Sequence, residues 1–217
     1  METEDFINKL AQNLSPVRRA LSPLTLLLRW LLITLPVLAM ITWAMGLRPD
    51  LVSLIGNRQF LRTEILALIT ALISAYAAFC AGRPDEPTWK LWLPVAIFGI
   101  WLAELGRQCV VLSVQTKGAG LELHTDLMCI PAIAITGVIP AAAMVWFLRR
   151  SSAFRLTHAS LYGAMAAAAA AEVALPLFHA ADTALMVLVW QMGSVVLFTL
   201  LAAACSRLAL NHRRKVL

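Results

Sequence analysis

LTLLLRWLLITLPVLAMITWAM, running from Leu24 to Met45, decides the fold. It holds a single charge, Arg29, and is as long as the roughly 20 residues a helix needs to cross the hydrocarbon core of a bilayer. Five further apolar runs of similar length follow, at about Ile65 to Ala81, Trp89 to Leu112, Leu127 to Leu148, Ala159 to Phe178 and Ala184 to Leu208. The expectation is an all-α integral membrane protein with six transmembrane helices over residues 24–208 and a basic tail over 209–217.

Composition agrees with that reading. The 217 residues are 60% hydrophobic and only 14% charged, with a mean hydropathy of +0.78, outside the range of soluble globular chains. A net charge of +6 suggests nucleic acid at first sight, but no soluble domain presents such a patch, and direct nucleic-acid contact is excluded. The first apolar run begins only at Leu24 and no small-residue cleavage site follows it, so a cleaved signal peptide is not expected. The four cysteines have no CxxC or Cys/His spacing that would define a disulfide framework or a zinc site.

Lys and Arg set the orientation. With the N-terminus in the cytoplasm, 13 of the 18 fall on inner segments, and Arg48, Arg58, Arg62, Arg107 and Lys117 remain outside. Positive charge concentrates on the cytoplasmic side, so both termini are expected there.

Residues 1–23 form the one polar segment ahead of the spans. Phe6, Ile7, Leu10, Leu14 and Val17 lay an apolar stripe along one side of a short helix, with Asp5, Asn8, Lys9, Gln12 and Asn13 opposite. Thr3 can cap its start and Ser15-Pro16 would end it. About a dozen residues make a marginal helix in water, so the stripe needs a surface. One reading lays it on the lipid bilayer or on its own bundle; the other makes it an anchor for a soluble partner. Acidic Glu2, Glu4 and Asp5 stand against Lys9 alone, with Arg18 and Arg19 nearer the membrane boundary, which favours the partner.

Charges within spans are the next candidates, because each costs on the order of 3 kcal/mol at membrane depth. Glu104 and Arg107 sit one turn apart in the third span and Glu172 lies in the fifth, at similar depth in the outer half. Arg107 is expected to neutralise one or both carboxylates. A proton or ion route through the three is the alternative, which would make the chain a small transporter or channel. On the outer side, Cys129 and His179, with Cys109 and His124, are metal-ligand residue types that the topology brings to one membrane face. Their spacing matches no known metal signature, and loop polars with small packed cysteines give the same scatter. Cys80 and Cys205 read as packing residues. No HExxH, Walker loop, CxxC or serine-protease pattern is present, so no catalytic residue is nominated.

The string Asp5-Phe6-Ile7, then Leu10, Leu14 and Pro16-Val17-Arg18-Arg19, followed by Arg29-Trp30 in a leucine-rich span, resembles the opening of the NrsF-type bacterial membrane proteins. Arg48-Pro49-Asp50-Leu51, Arg58-Gln59-Phe60 and Leu188-Val189-Trp190 fit the same pattern in the same order. The resemblance implies a membrane-bound anti-sigma factor. It would hold an extracytoplasmic-function sigma factor at the bacterial inner membrane through its cytoplasmic tail and release it on an outer-side signal. Phe6, Ile7, Leu10, Leu14 and Val17 then become sigma-contacting anchors, and Arg18 and Arg19 the family's basic pair. Family members also carry two outward cysteines linked with sensing of heavy metals or oxidants. One matches Cys129. Where the other belongs this chain reads His179-Ala180-Ala181-Asp182, so a site for a transient heavy-metal ion or an oxidant needs Cys109 as the substitute thiol, or His179 joining Cys129 in a mixed site; the alternatives are a different signal, or one reported through a partner. No resident cofactor is implied, and association with a second copy of the chain is left open.

Overall fold

The computed structural model describes residues 3–5, 7, 21–117, 129–150, 155–179 and 184–214. Among these, all regular structure is helical. Six long helices follow one another: α1 (Pro23–Met45), α2 (Arg58–Ala81), α3 (Leu93–Thr116), α4 (Cys129–Arg150), α5 (Leu156–Ala174) and α6 (Met192–Arg214). Each lies in a stretch long and apolar enough to cross a membrane. Thr3 to Asp5 and Ile7 are helical, and the remainder of the expected N-terminal helix lies outside the described residues.

Helix α5 is the centre of the bundle. Its run Ala166 to Ala171 is buried throughout, and α2, α4 and α6 all pack on it, with α2 making the most extensive contact. In lipid the hydrophobic effect does not drive helices together, whereas small side chains let backbones approach closely enough for dispersion to do so. Gly163 shows how close: a Cβ there would stand 2.8 Å from Met144 Cγ on α4. Helix α3 packs against α2, and α1 lies across α4 and α2. Phe79 of α2 meets Phe147 of α4 edge to face, with ring centres 6.3 Å apart.

The helix ends are locally encoded. Ser22 accepts from the Thr25 N–H at 3.1 Å and Pro23 opens α1. Gly46 ends it with φ +84°, a left-handed conformation that only glycine adopts cheaply. Asn57 caps α2 by accepting from the Gln59 N–H at 2.9 Å.

Connections tie the ends into two levels. At one, the Arg83 guanidinium after α2 donates to the Leu21 carbonyl ahead of α1, and the Arg155 N–H before α5 donates to the Ala81 carbonyl at 3.0 Å. At the other, the Arg48 N–H after α1 donates to the Leu177 carbonyl after α5 at 3.0 Å. The segments that the charge distribution assigns to opposite sides therefore gather at opposite ends of the bundle.

Several boundaries differ from the sequence reading. The second span begins at Arg58 rather than about Ile65, because Asn57 provides a cap that hydropathy does not register. The loop ahead of it also holds a short helix, Leu51–Ile55. The third span is preceded by a 3-10 turn, Thr88–Leu91. The fifth closes with another, Leu175–Leu177, at Pro176. The sixth is entered through Ala184–Met186 and a π-helical turn, Val187–Gln191. Cys80 is buried as a packing residue would be, but Cys205 is exposed on α6.

Candidate functional site: a polar cavity at the Arg48 end

Two carboxyl groups come together where α2, α3 and α5 meet the π-helical turn before α6. Glu64 is in the second turn of α2 and Glu172 in the last turn of α5. Both line a cavity of about 290 Å³, together with Thr63, Trp101, Gln108 and Gln191. Arg48 stands at the rim, its guanidinium held by both oxygens of Asp50 at 2.6 and 2.7 Å.

Burial at this site is severe. Glu172 is 3% exposed, Gln191 2% and Trp101 1%. Among the described residues, Glu172 Oε1, Gln191 Nε2 and Trp101 Nε1 have no hydrogen-bond partner. A buried polar group left unpaired costs about 1–3 kcal/mol, so three around one cavity are an uncommon concentration. The π-helical turn explains why Gln191 lines the cavity: one extra residue per turn shifts the register of the side chains that follow.

Glu104 and Arg107 occupy a different face. Their side chains form a two-pronged ion pair at 2.6 and 2.8 Å, beside Arg62, Ile65 and Ile100 on the outside of the α2–α3 contact. Arg107 remains 45% exposed, Glu104 15%. Of the one or both carboxylates that Arg107 is expected to neutralise, it pairs with one, Glu104. Its guanidinium is committed to Glu104, and among the described residues no cation pairs with Glu172. Gln108 bridges the two features, donating to Thr63 Oγ1 at 3.1 Å and to Glu104 Oε1 at 3.3 Å.

Of the outer-side residues, Cys109 is a half-buried free thiol on α3. His179 follows the 3-10 turn after α5 and donates its N–H to the Leu175 carbonyl at 2.9 Å. Cys129 opens α4, but its side chain, like His124, lies outside the described residues. Among those described, no three His, Cys, Asp or Glu side chains converge as metal ligands. Ile7 is 56% exposed, and Phe6, Leu10, Leu14, Val17, Arg18 and Arg19 fall outside the described residues.

Sequence reasoning named Glu172 but missed Glu64, Trp101, Gln108 and Gln191. Glu64 was masked by the late start assigned to the second span, which put it in a loop. Gln191 did leave a signal, as a lone amide inside the last apolar run.

Compared with known proteins, residues 10–212 match the NrsF family, described as negative regulator of sigma F. No curated protein and no solved structure matches the chain significantly.

Proposed function

Because this chain belongs to the NrsF family of negative regulators of sigma F, we propose that it is a bacterial inner-membrane anti-sigma factor whose cytoplasmic N-terminal segment sequesters an extracytoplasmic-function sigma factor. The observation that carries this is the extent of the match, which takes in the six spans and the tail from residue 10. Ile7, the stripe residue among those described, is helical and exposed, which agrees with this reading.

In this mechanism the six helices fix the tail at the membrane. Phe6, Ile7, Leu10, Leu14 and Val17 enter an apolar groove between the helical domains of the sigma factor and keep it from RNA polymerase. Arg18 and Arg19 hold the segment at the membrane boundary. No chemistry on a substrate is involved, and neither a resident cofactor nor nucleic acid takes part.

Release begins on the opposite side of the membrane, where Cys129, with His179 or Cys109, takes a heavy-metal ion or an oxidant. Cys129 opens α4 and His179 follows α5, so an event at either acts on the central helix. From α5 a continuous path runs through the Arg155 to Ala81 bond and the Arg83 to Leu21 bond to the point where the tail enters α1. A signal shifts this equilibrium only by as much as it binds the two packings differently.

The test is a reporter driven by the cognate sigma factor in cells expressing the full chain or Leu10→Glu. Loss of repression with unchanged membrane insertion supports the reading; full repression by the variant contradicts the assignment of the stripe. A transporter or channel draws on the polar cavity for support. It requires Glu104, Arg107 and Glu172 to share a route, and the ion pair lies on a separate face. Flux across liposomes carrying the pure protein, abolished by Glu172→Gln, would favour it over the anti-sigma reading.

A further inference from the structure

The cavity at the Arg48 end asks for a ligand that satisfies two opposite demands. Glu64 and Glu172 present two carboxyl groups to one cavity and Glu172 Oε1 has no partner among the described residues, so an occupant that brings positive charge and hydrogen-bond donors fits both. Trp101 Nε1 and Gln191 Nε2 require an acceptor, because both are unpartnered N–H donors on side chains buried to 98% or more. A bare metal ion meets only the first demand. Its coordinated waters also meet only the first, having little lone-pair density left to accept a hydrogen bond.

An organic ammonium carrying an oxygen two or three bonds away meets both. Its N–H groups donate to Glu172 Oε1 and Glu64, and its oxygen accepts from Trp101 Nε1 and Gln191 Nε2. A space of about 290 Å³ admits a molecule of this size. Arg48 does not oppose it, since its charge is held by Asp50 at the rim.

We propose that the cavity lined by Glu64, Glu172, Trp101 and Gln191 is a binding site for a small amino alcohol cation. The ammonium is held by the two carboxylates and the oxygen by the two N–H donors. This goes beyond the anti-sigma reading and does not depend on it, because occupancy is measured without a sigma factor. The same chemistry is offered by a free amino alcohol and by the headgroup of an ethanolamine phospholipid.

The experiment uses the full chain in nanodiscs of phosphatidylglycerol alone, titrated with ethanolamine and followed by tryptophan fluorescence and calorimetry. Potassium chloride at matched ionic strength is the control. Saturable binding is expected with ethanolamine and not with potassium. Affinity is expected to fall at least tenfold in Glu172→Gln, and about three- to tenfold in Trp101→Phe, which keeps a ring but removes the donor. Each variant is first checked for native helicity, and Trp101→Phe keeps the test decisive if Glu172→Gln fails to fold. Competition in nanodiscs containing phosphatidylethanolamine supports the site with a lipid headgroup as its source; absence of competition supports it with the free amine. No saturable binding, an equal response to potassium, or unchanged affinity in both variants overturns the proposal.

Discussion

Trp30 of α1 donates its indole N–H to the backbone carbonyl of Pro140 in α4 at 3.0 Å, and both lie in the buried interior. Pro140 interrupts the hydrogen-bond ladder of its helix, and the tryptophan fastens α1 at that weakened turn. Trp30 is fully buried, so the helix that carries the tail is fixed to the bundle at this point. Trp30→Phe is expected to lower stability by about 0.5–1.5 kcal/mol, the range for one hydrogen bond. Trp30→Ala should cost about 3–5 kcal/mol through the cavity it leaves. Unfolding in mixed micelles with rising dodecyl sulfate, followed by circular dichroism, separates the two; a Trp30→Phe variant as stable as wild type would show that the bond contributes nothing.

At the Leu21 end of the bundle, the Arg83 guanidinium donates to the Leu21 carbonyl and the Arg155 backbone N–H to that of Ala81. If these bonds carry the outer signal to the tail, Arg83→Ala should keep the sigma factor bound in the resting state while blunting its release severalfold on inducer. Reporter output with and without inducer measures both. Normal induction in Arg83→Ala would remove this link from the mechanism.

Gly163 faces Met144 and Leu148, whose Cγ and Cδ1 would lie 2.8 and 3.4 Å from an added Cβ. Met144 Cγ sits near the root of a buried side chain and must move, so Gly163→Ala should cost about 1–3 kcal/mol and Gly163→Val more, by forcing α4 and α5 apart. Met144→Ala in the same chain should recover part of the valine loss. Failure of that rescue in the unfolding assay would mean that the backbone, and not Met144, is the obstacle.

The Arg48 guanidinium beside Asp50 holds its carboxyl below the usual aspartate value. A group whose pKa is lowered by folding contributes above the unfolded value, near about 3.9, and loses that contribution as pH falls through the folded one. Hydrogen exchange at the amides of Ser53 and Leu54, which donate to the Asp50 carbonyl at 3.0 and 3.1 Å, should therefore be unchanged from pH 7 to pH 5 after correction for intrinsic rates. Asp50→Asn should raise exchange throughout that window. Equal protection in the variant would show that the turn holds without the ion pair.

How much of this was legible depended on length scale. Six spans could be counted because twenty apolar residues are a signal that tertiary context rarely overrides. The alanine run beside Gly163 leaves a signal of its own, since small residues clustered in a membrane helix let backbones approach closely. The cavity was not legible. Glu64 looked like loop because its helix is started by Asn57, a single-residue event within a polar stretch. Glu104 and Glu172 looked equivalent because depth is readable from sequence and azimuth is much less so. Three-dimensional packing alone separates the paired carboxylate on the α2–α3 surface from the unpaired one in the cavity. Gln191 faces the cavity through a π-helical turn that no periodicity argument anticipates.

The central claim is capture of a sigma factor by the apolar stripe, and direct binding tests it most simply. The full chain in nanodiscs, wild type or Leu10→Glu, is immobilised and titrated with purified extracytoplasmic-function sigma factors from the same cell. The account predicts submicromolar retention of one sigma factor by the wild type, weakened at least a hundredfold by Leu10→Glu. Retention of that sigma factor with equal affinity by both proteins would contradict it.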